Sequence, residues 1–113
     1  MKNLIIFLVL HFSTTALCSI KVAITIDDLP SHAQMPSGVS RLEIVKKMTA
    51  TIGEFKLPPV YGFVNASKVD KDPTLGEALK VWMDSGNVLG NHTCSHKSLN
   101  KLTVTEFENE ITD

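Results

Sequence analysis

With 113 residues, 43% of them hydrophobic and 20% charged, the chain has the material for one ordinary folded domain at most, and its composition argues against disorder. The formal net charge of −1 leaves no basic patch of the kind that nucleic acid requires, so no nucleic-acid partner is expected.

The first element stands apart from that domain. Lys2 supplies a short positive start, Leu4 to Leu10 is an unbroken apolar run, and Ser13 to Ser19 is small and polar, the layout of a secretory signal peptide. Residues 1–18 are taken as that signal, with Ala16 and Cys18 as the small residues before the cut, and a secreted or periplasmic product is expected. The apolar run falls short of the roughly 20 residues that span a bilayer, so no permanent membrane anchor is expected. Leu17 is a bulky neighbour for lipid modification of Cys18. Once Cys18 has left, Cys94 is the one thiol of the mature segment, which can then hold no internal disulfide.

The mature segment, 19–113, alternates strand and helix. Lys21 to Ile26 is a mostly apolar, β-branched run too short for a helix and suits a buried parallel strand, with Asp27-Asp28 at its C-terminal end. Turn formers from Pro30 to Gly38 follow, a loop expected at the rim of a site. Ser40-Arg41-Leu42-Glu43 is a capping box, and Leu42, Val45, Met48, Ile52 and Phe55 then recur at helical spacing as a core-facing stripe that Leu57-Pro58-Pro59 stops. Val60 to Val64 forms the second strand and ends at Asn65. The next helix has Asp72 as N-cap, Pro73 at its first position, a buried face of Leu75, Leu79 and Trp82, and Gly86 as terminator. Gly76 inside that helix suggests close packing, since it costs up to about 1 kcal/mol against alanine. Asn87 to Asn91 is the third strand, and overlapping boxes at Thr103/Glu106 and Thr105/Glu108 open a last helix.

Asn91-His92-Thr93-Cys94-Ser95-His96 carries the chemistry, together with Asp27-Asp28. On a straight strand, two histidines four apart would sit roughly 13 Å from one another, too far to share an ion whose bonds are about 2 Å long. They can chelate only if the backbone turns between them, and the hydroxyls of Thr93, Ser95 and Ser98 support such a turn. His92 is therefore placed at a strand end and His96 on the turn after it. Cys94, between them, is expected to face the core. Either motif alone also arises as a cap or by chance. In parallel α/β folds, however, sites lie at the C-terminal ends of the strands, and here three such ends carry Asp27-Asp28, Asn65 and His92-His96.

Thr25-Ile26-Asp27-Asp28 and His92-Thr93-Cys94-Ser95-His96, with Gly62-Phe63-Val64-Asn65 between them and Gly90-Asn91 leading in, resemble the first two motifs of the polysaccharide deacetylases, the NodB-homology carbohydrate esterases. The likeness runs from about Ile20 to Asp113. It implies an α/β fold, the N-terminal part of a distorted (β/α) barrel, and an enzyme that removes N-acetyl or O-acetyl groups from a polysaccharide such as peptidoglycan or a chitin-like glycan. It gives Asp27 the role of catalytic base and makes Asp28, His92 and His96 ligands of a divalent metal, with Zn2+ expected. Two histidines and one carboxylate suit a catalytic zinc with an open position. Ile26 replaces a more usual aromatic, and Leu29 stands where many members have glycine. The family's later motifs, an arginine that orients the base and a histidine general acid, would lie beyond Asp113. Three strands with helices cannot close a barrel, so the chain is expected to be the N-terminal portion of a longer one. His32 is read as solvated rather than as a replacement acid. The alternative to an enzyme is a truncated or degenerate relative that binds metal or glycan without turnover.

Overall fold

The computed structural model describes residues 20–30, 34–69 and 72–112. The signal segment 1–18 and His32 lie outside the described residues. Three strands, β1 (Thr25–Leu29), β2 (Tyr61–Val64) and β3 (Val88–Asn91), form a parallel sheet in the order β1-β2-β3. Helix α1 (Arg41–Glu54) connects β1 to β2, and α2 (Ala66–Val69) and α3 (Pro73–Asp84) connect β2 to β3. A 3-10 turn at Leu99–Lys101 and helix α4 (Val104–Thr112) follow. The sequence pattern predicts neither α2 nor the 3-10 turn, both being too short to show a hydrophobic period.

The first strand lies further along the chain than its apolar run suggests. Thr25 pairs with Tyr61, so a ladder continued backwards would set Val22 and Ala23 against Pro58 and Pro59. Proline has no N–H to give a ladder, and Lys21 to Ile24 are left exposed outside the sheet. Asp27 and Asp28 consequently lie inside β1 rather than after it. The register advances three residues on β1, from Ile26 to Leu29, while β2 advances two, from Gly62 to Val64. That is a bulge, centred on the two aspartates, and Asp28 takes it up with φ 57°.

The helices end where their caps dictate. Ser40 and Glu43 exchange the reciprocal bonds of the predicted box, with Ser40 Oγ accepting from Glu43 N at 3.2 Å and Glu43 Oε2 accepting from Ser40 N at 2.8 Å. At the other end Leu57 N donates to Ile52 O at 3.0 Å and Lys56 N to Gly53 O at 3.1 Å, a Schellman closure with Lys56 at φ 50°. This closure, not the prolines, stops α1. It also turns Phe55 out of the stripe, so that Phe55 is 68% exposed rather than part of the core. Asp72 caps α3 through Thr74 N, and Gly86 follows its C-cap at φ 85°. Of the two boxes predicted for α4, Thr103 and Glu106 form theirs.

The core lies between the sheet and the packed pair α1 and α3. Leu29, Val45, Val60, Ala78, Leu79 and Trp82 are its buried members, with Leu42, Met48 and Ile52 packed against them. Trp82 is fully buried, its indole N–H donating to Val88 O at 3.0 Å, and truncation of such a residue costs about 3–5 kcal/mol. Beneath it a side chain at Gly62 would force the buried Leu29 and Trp82 to shift, since a Cβ there would lie 2.6 Å from Leu29 Cδ2 and 3.1 Å from the indole. Gly76, by contrast, has nothing within 4 Å of where a Cβ would stand, so close packing does not account for it.

Candidate metal centre

The C-terminal end of β2 is tied to the backbone that follows β3 by a side chain as well as by the ladder. Asn65, 1% exposed, closes β2 and donates through Nδ2 to the carbonyls of His92 and Thr93, the latter at 3.3 Å. His92 N donates to Val64 O at 2.9 Å, and Ser67 N to Cys94 O at 3.0 Å. The backbone that follows β3 is therefore pinned to the end of β2 before it turns.

The turn brings the two histidines together. Thr93 and His96 adopt φ 67° and 59°, the left-handed region that side chains disfavour, and His96 N donates to Thr93 Oγ1 at 3.2 Å. The imidazole centroids come to 5.0 Å from each other, with the Phe63 ring 6.4 Å from that of His92. Phe63 is held in turn by Gly90, where a Cβ would fall 2.6 Å from the ring. His92 thus leaves a strand end and His96 lies on the turn beyond it, as the spacing requires.

Asp28 reaches the same place from β1. Its Oδ1 is buried and lies 3.9 Å from His92 Nε2 and 3.6 Å from His96 Nε2. One donor atom from each of Asp28, His92 and His96 falls within 4.8 Å of the others. Donors held about 2.0–2.2 Å from one tetrahedral ion would stand about 3.3–3.6 Å apart, so the set would close inward by up to about 1 Å around an ion. Among the described residues, three of the four non-glycine positions with positive φ, Asp28, Thr93 and His96, lie in this cluster or in the turn between its histidines. Such strain gathers where the surroundings over-determine a geometry that function uses.

Asp27 is not among the converging donors. It precedes Asp28 on the bulge with its side chain exposed, so the two neighbouring carboxylates have different surroundings. Two further residues belong to the neighbourhood that spacing does not reveal. Lys68, on α2, places Nζ 3.7 Å from Asp28 Oδ1 and donates to Asn65 Oδ1 at 3.0 Å. Glu110, on α4, is 8% exposed and accepts from both the amide and the hydroxyl of Ser95, which hold its carboxyl below the usual range. Nothing in the local sequence distinguishes Lys68 from a solvated lysine. Glu110 carries a weak signal, a carboxylate beside Ile111 on the side of an amphipathic helix where an apolar residue would be expected.

Cys94 lies between the histidines but is not in the donor cluster. It is half-buried and lines a cavity of about 300 Å³ with Val64, Leu89, Gly90 and Glu110, rather than packing in the core as expected. A second cavity of about 300 Å³ borders the imidazoles and is lined by His92, Thr93, His96, Lys97 and Ser98. It leaves space for a ligand directly beside the candidate centre.

Among known proteins, the model of the polysaccharide deacetylase family matches residues 16–113. No curated protein and no solved structure matches the chain.

Proposed function

Because the chain belongs to the polysaccharide deacetylase family, we propose that it contributes the metal centre and the base of a hydrolase that removes acetyl groups from a glycan such as peptidoglycan or a chitin-like polymer. The observation that carries this reading is the convergence of Asp28, His92 and His96, from β1 and from the turn after β3, on one point at the C-terminal ends of parallel strands. Residues 19–113 are then the N-terminal part of a NodB-homology (β/α) barrel, and residues 1–18 direct it to the periplasm or the cell exterior, where such glycans lie.

Asp28, His92 and His96 would hold a divalent cation, and a set of two imidazoles and one carboxylate favours zinc. When bound, the cation supplies Lewis-acid polarisation of the acetyl carbonyl and makes a neighbouring water acidic enough to react near neutral pH. The chain's own residues do the rest. Asp27, exposed on the bulge beside Asp28, takes the water proton at a carboxylate oxygen as the water oxygen bonds to the acetyl carbon and the carbonyl π pair moves to its oxygen; return of that pair breaks the bond to the sugar, whose nitrogen or oxygen takes up a proton as acetate leaves. Asp28 uses its carboxylate as a ligand, and the bulge is what lets two adjacent residues divide these roles. The cavity beside the imidazoles receives the acetylated sugar.

Acetate release from N-acetylated chitooligosaccharides, with acetylated xylan as the ester comparison, tests the reading. Asp27→Asn should lower the rate by about 10²–10⁴-fold while bound zinc, measured by elemental analysis, stays at the wild-type level. His92→Ala and His96→Ala should lose the metal itself. Full activity in Asp27→Asn would remove Asp27 from its role, and bound metal with no acetate from any substrate would leave a binding protein instead of an enzyme.

A further inference from the structure

Helix α4 buries a carboxylate. Its one buried side chain is Glu110, while Val104 and Ile111, which an amphipathic helix would be expected to bury, are 74% and 48% exposed. A buried carboxylate is costly unless its oxygens are satisfied, and the donors that satisfy Glu110 all come from one place. Ser95 N donates to Oε2 at 2.6 Å, Ser95 Oγ donates to Oε1, and Lys97 Nζ stands 3.4 Å from Oε1. The backbone adds to the same attachment: Cys94 N donates to Glu110 O at 2.6 Å, and Asn91 Nδ2 to Ile111 O at 2.7 Å. Every one of these donors lies between Asn91 and Lys97, the segment that carries both histidines.

We propose that Glu110 is a positioning residue for the metal centre: its carboxylate clamps the turn at Ser95 and so holds His96 in reach of Asp28 and His92. The proposal rests on the metal-centre reading above. Ser95 lies between two residues in the left-handed region, Thr93 two before it and His96 directly after. Such a turn relaxes unless something outside it fixes the backbone; Asn65 and Ser67 hold the carbonyls of Thr93 and Cys94, and beyond Cys94 the bond to Thr93 Oγ1 stays within the turn, so Ser95 needs an anchor of its own. Glu110 fixes Ser95 by amide and hydroxyl together, which sets the position of that residue and the rotation of the Cys94–Ser95 peptide, one residue before His96. Glutamine offers one acceptor oxygen for these two donors and no charge for Lys97, and so cannot reproduce the clamp.

The test is the affinity of the full protein for Zn2+, measured by competition with a chromophoric chelator, alongside circular dichroism and thermal unfolding. Glu110→Gln should keep its secondary structure and weaken Zn2+ binding by about 10–100-fold, the range found when partners that orient metal ligands are removed. Thr103→Ala, which removes the cap of the same helix without touching the turn, should lower the unfolding temperature yet leave affinity within about threefold of wild type. A merely structural Glu110 would make the two variants behave alike, and that result overturns the proposal, as does wild-type affinity in a folded Glu110→Gln. If Glu110→Gln does not fold, Ser95→Ala takes its place. A folded Ser95→Ala that binds Zn2+ less tightly supports the clamp, and one with unchanged affinity overturns it. A wild-type protein that binds no Zn2+ overturns the metal-centre reading itself, an outcome distinct from a tight wild type with an equally tight variant.

Discussion

At the scale of single residues, the chemistry of the candidate centre is governed by what lies next to one atom, Asp28 Oδ1. Two imidazoles and the Lys68 ammonium approach it, all within 3.6–3.9 Å. A fixed positive charge so near a carboxylate competes with any cation that the carboxylate would bind. At separations of 4–5 Å and an effective dielectric between those of protein surface and water, that repulsion is about 2–6 kcal/mol for a divalent cation, reduced by the partial exposure of the lysine. Lys68→Met should therefore tighten Zn2+ binding by roughly tenfold at low ionic strength and by less in high salt. Titrations at two salt concentrations check this, and weaker binding would mean that Lys68 supports the site through Asn65 instead. Asp27 and Asp28 illustrate the same scale from the other side. Their residue types are legible in the sequence, but the difference in their surroundings comes from one bulged position.

At the scale of elements, local signals are legible where a cap or a period is strong. Ser40/Glu43, Asp72, Gly86 and Thr103/Glu106 all act as their residue types predict, because each cap is a contact over two or three positions. The end of α1 is not set by Leu57-Pro58-Pro59, as the sequence suggests, and its true signal is hidden because the Schellman closure uses Lys56 where glycine is usual. A lysine held at φ 50° costs about 1–2 kcal/mol, and a glycine there loses about 0.5–1 kcal/mol to the entropy of the unfolded chain. Lys56→Gly is accordingly expected to stabilise the fold by about 0.5–1 kcal/mol, read as a shift of the urea midpoint at constant slope. The start of β1 departs from its sequence pattern for a different reason. Val22, Ala23 and Ile24 have strand-like composition, yet a strand exists only where its neighbour can pair, and Pro58-Pro59 withholds that partner.

Across the whole molecule, acidic side chains serve as structural acceptors. Glu43 and Glu106 hold helix N-termini through the amides and hydroxyls of Ser40 and Thr103, Asp72 does so through Thr74, and Glu110 binds Ser95. Each of these bonds favours the ionised form, so each folded-state carboxyl titrates below its free value of 4.5 for Glu or 3.8 for Asp. A depressed carboxyl contributes stability that is fully present above the free value and is lost as pH falls through the folded one. Stability to urea should then be level down to about pH 5 and decline below it. Glu110→Gln should flatten part of that decline, because its acceptor no longer titrates. A decline that begins above pH 6 would overturn this account. Among the described residues no helix is long and apolar enough to cross a membrane.

The sequence by itself determined the main alternation of strands and helices, the N-terminal caps of α1, α3 and α4, and the identities of the residues able to ligate a metal, because these depend on side-chain chemistry and on contacts a few positions apart. It also carried enough of two motifs to indicate the family. Tertiary structure alone decided that the β1 bulge turns Asp28 toward His92 and His96 while Asp27 stays exposed. It likewise decided that Lys68 stands against the ligand set and that Glu110 grips the turn from a later helix. Those outcomes depend on pairing register and on which surfaces meet after folding, and a register or a docking surface belongs to two segments at once, so neither segment's own pattern contains it.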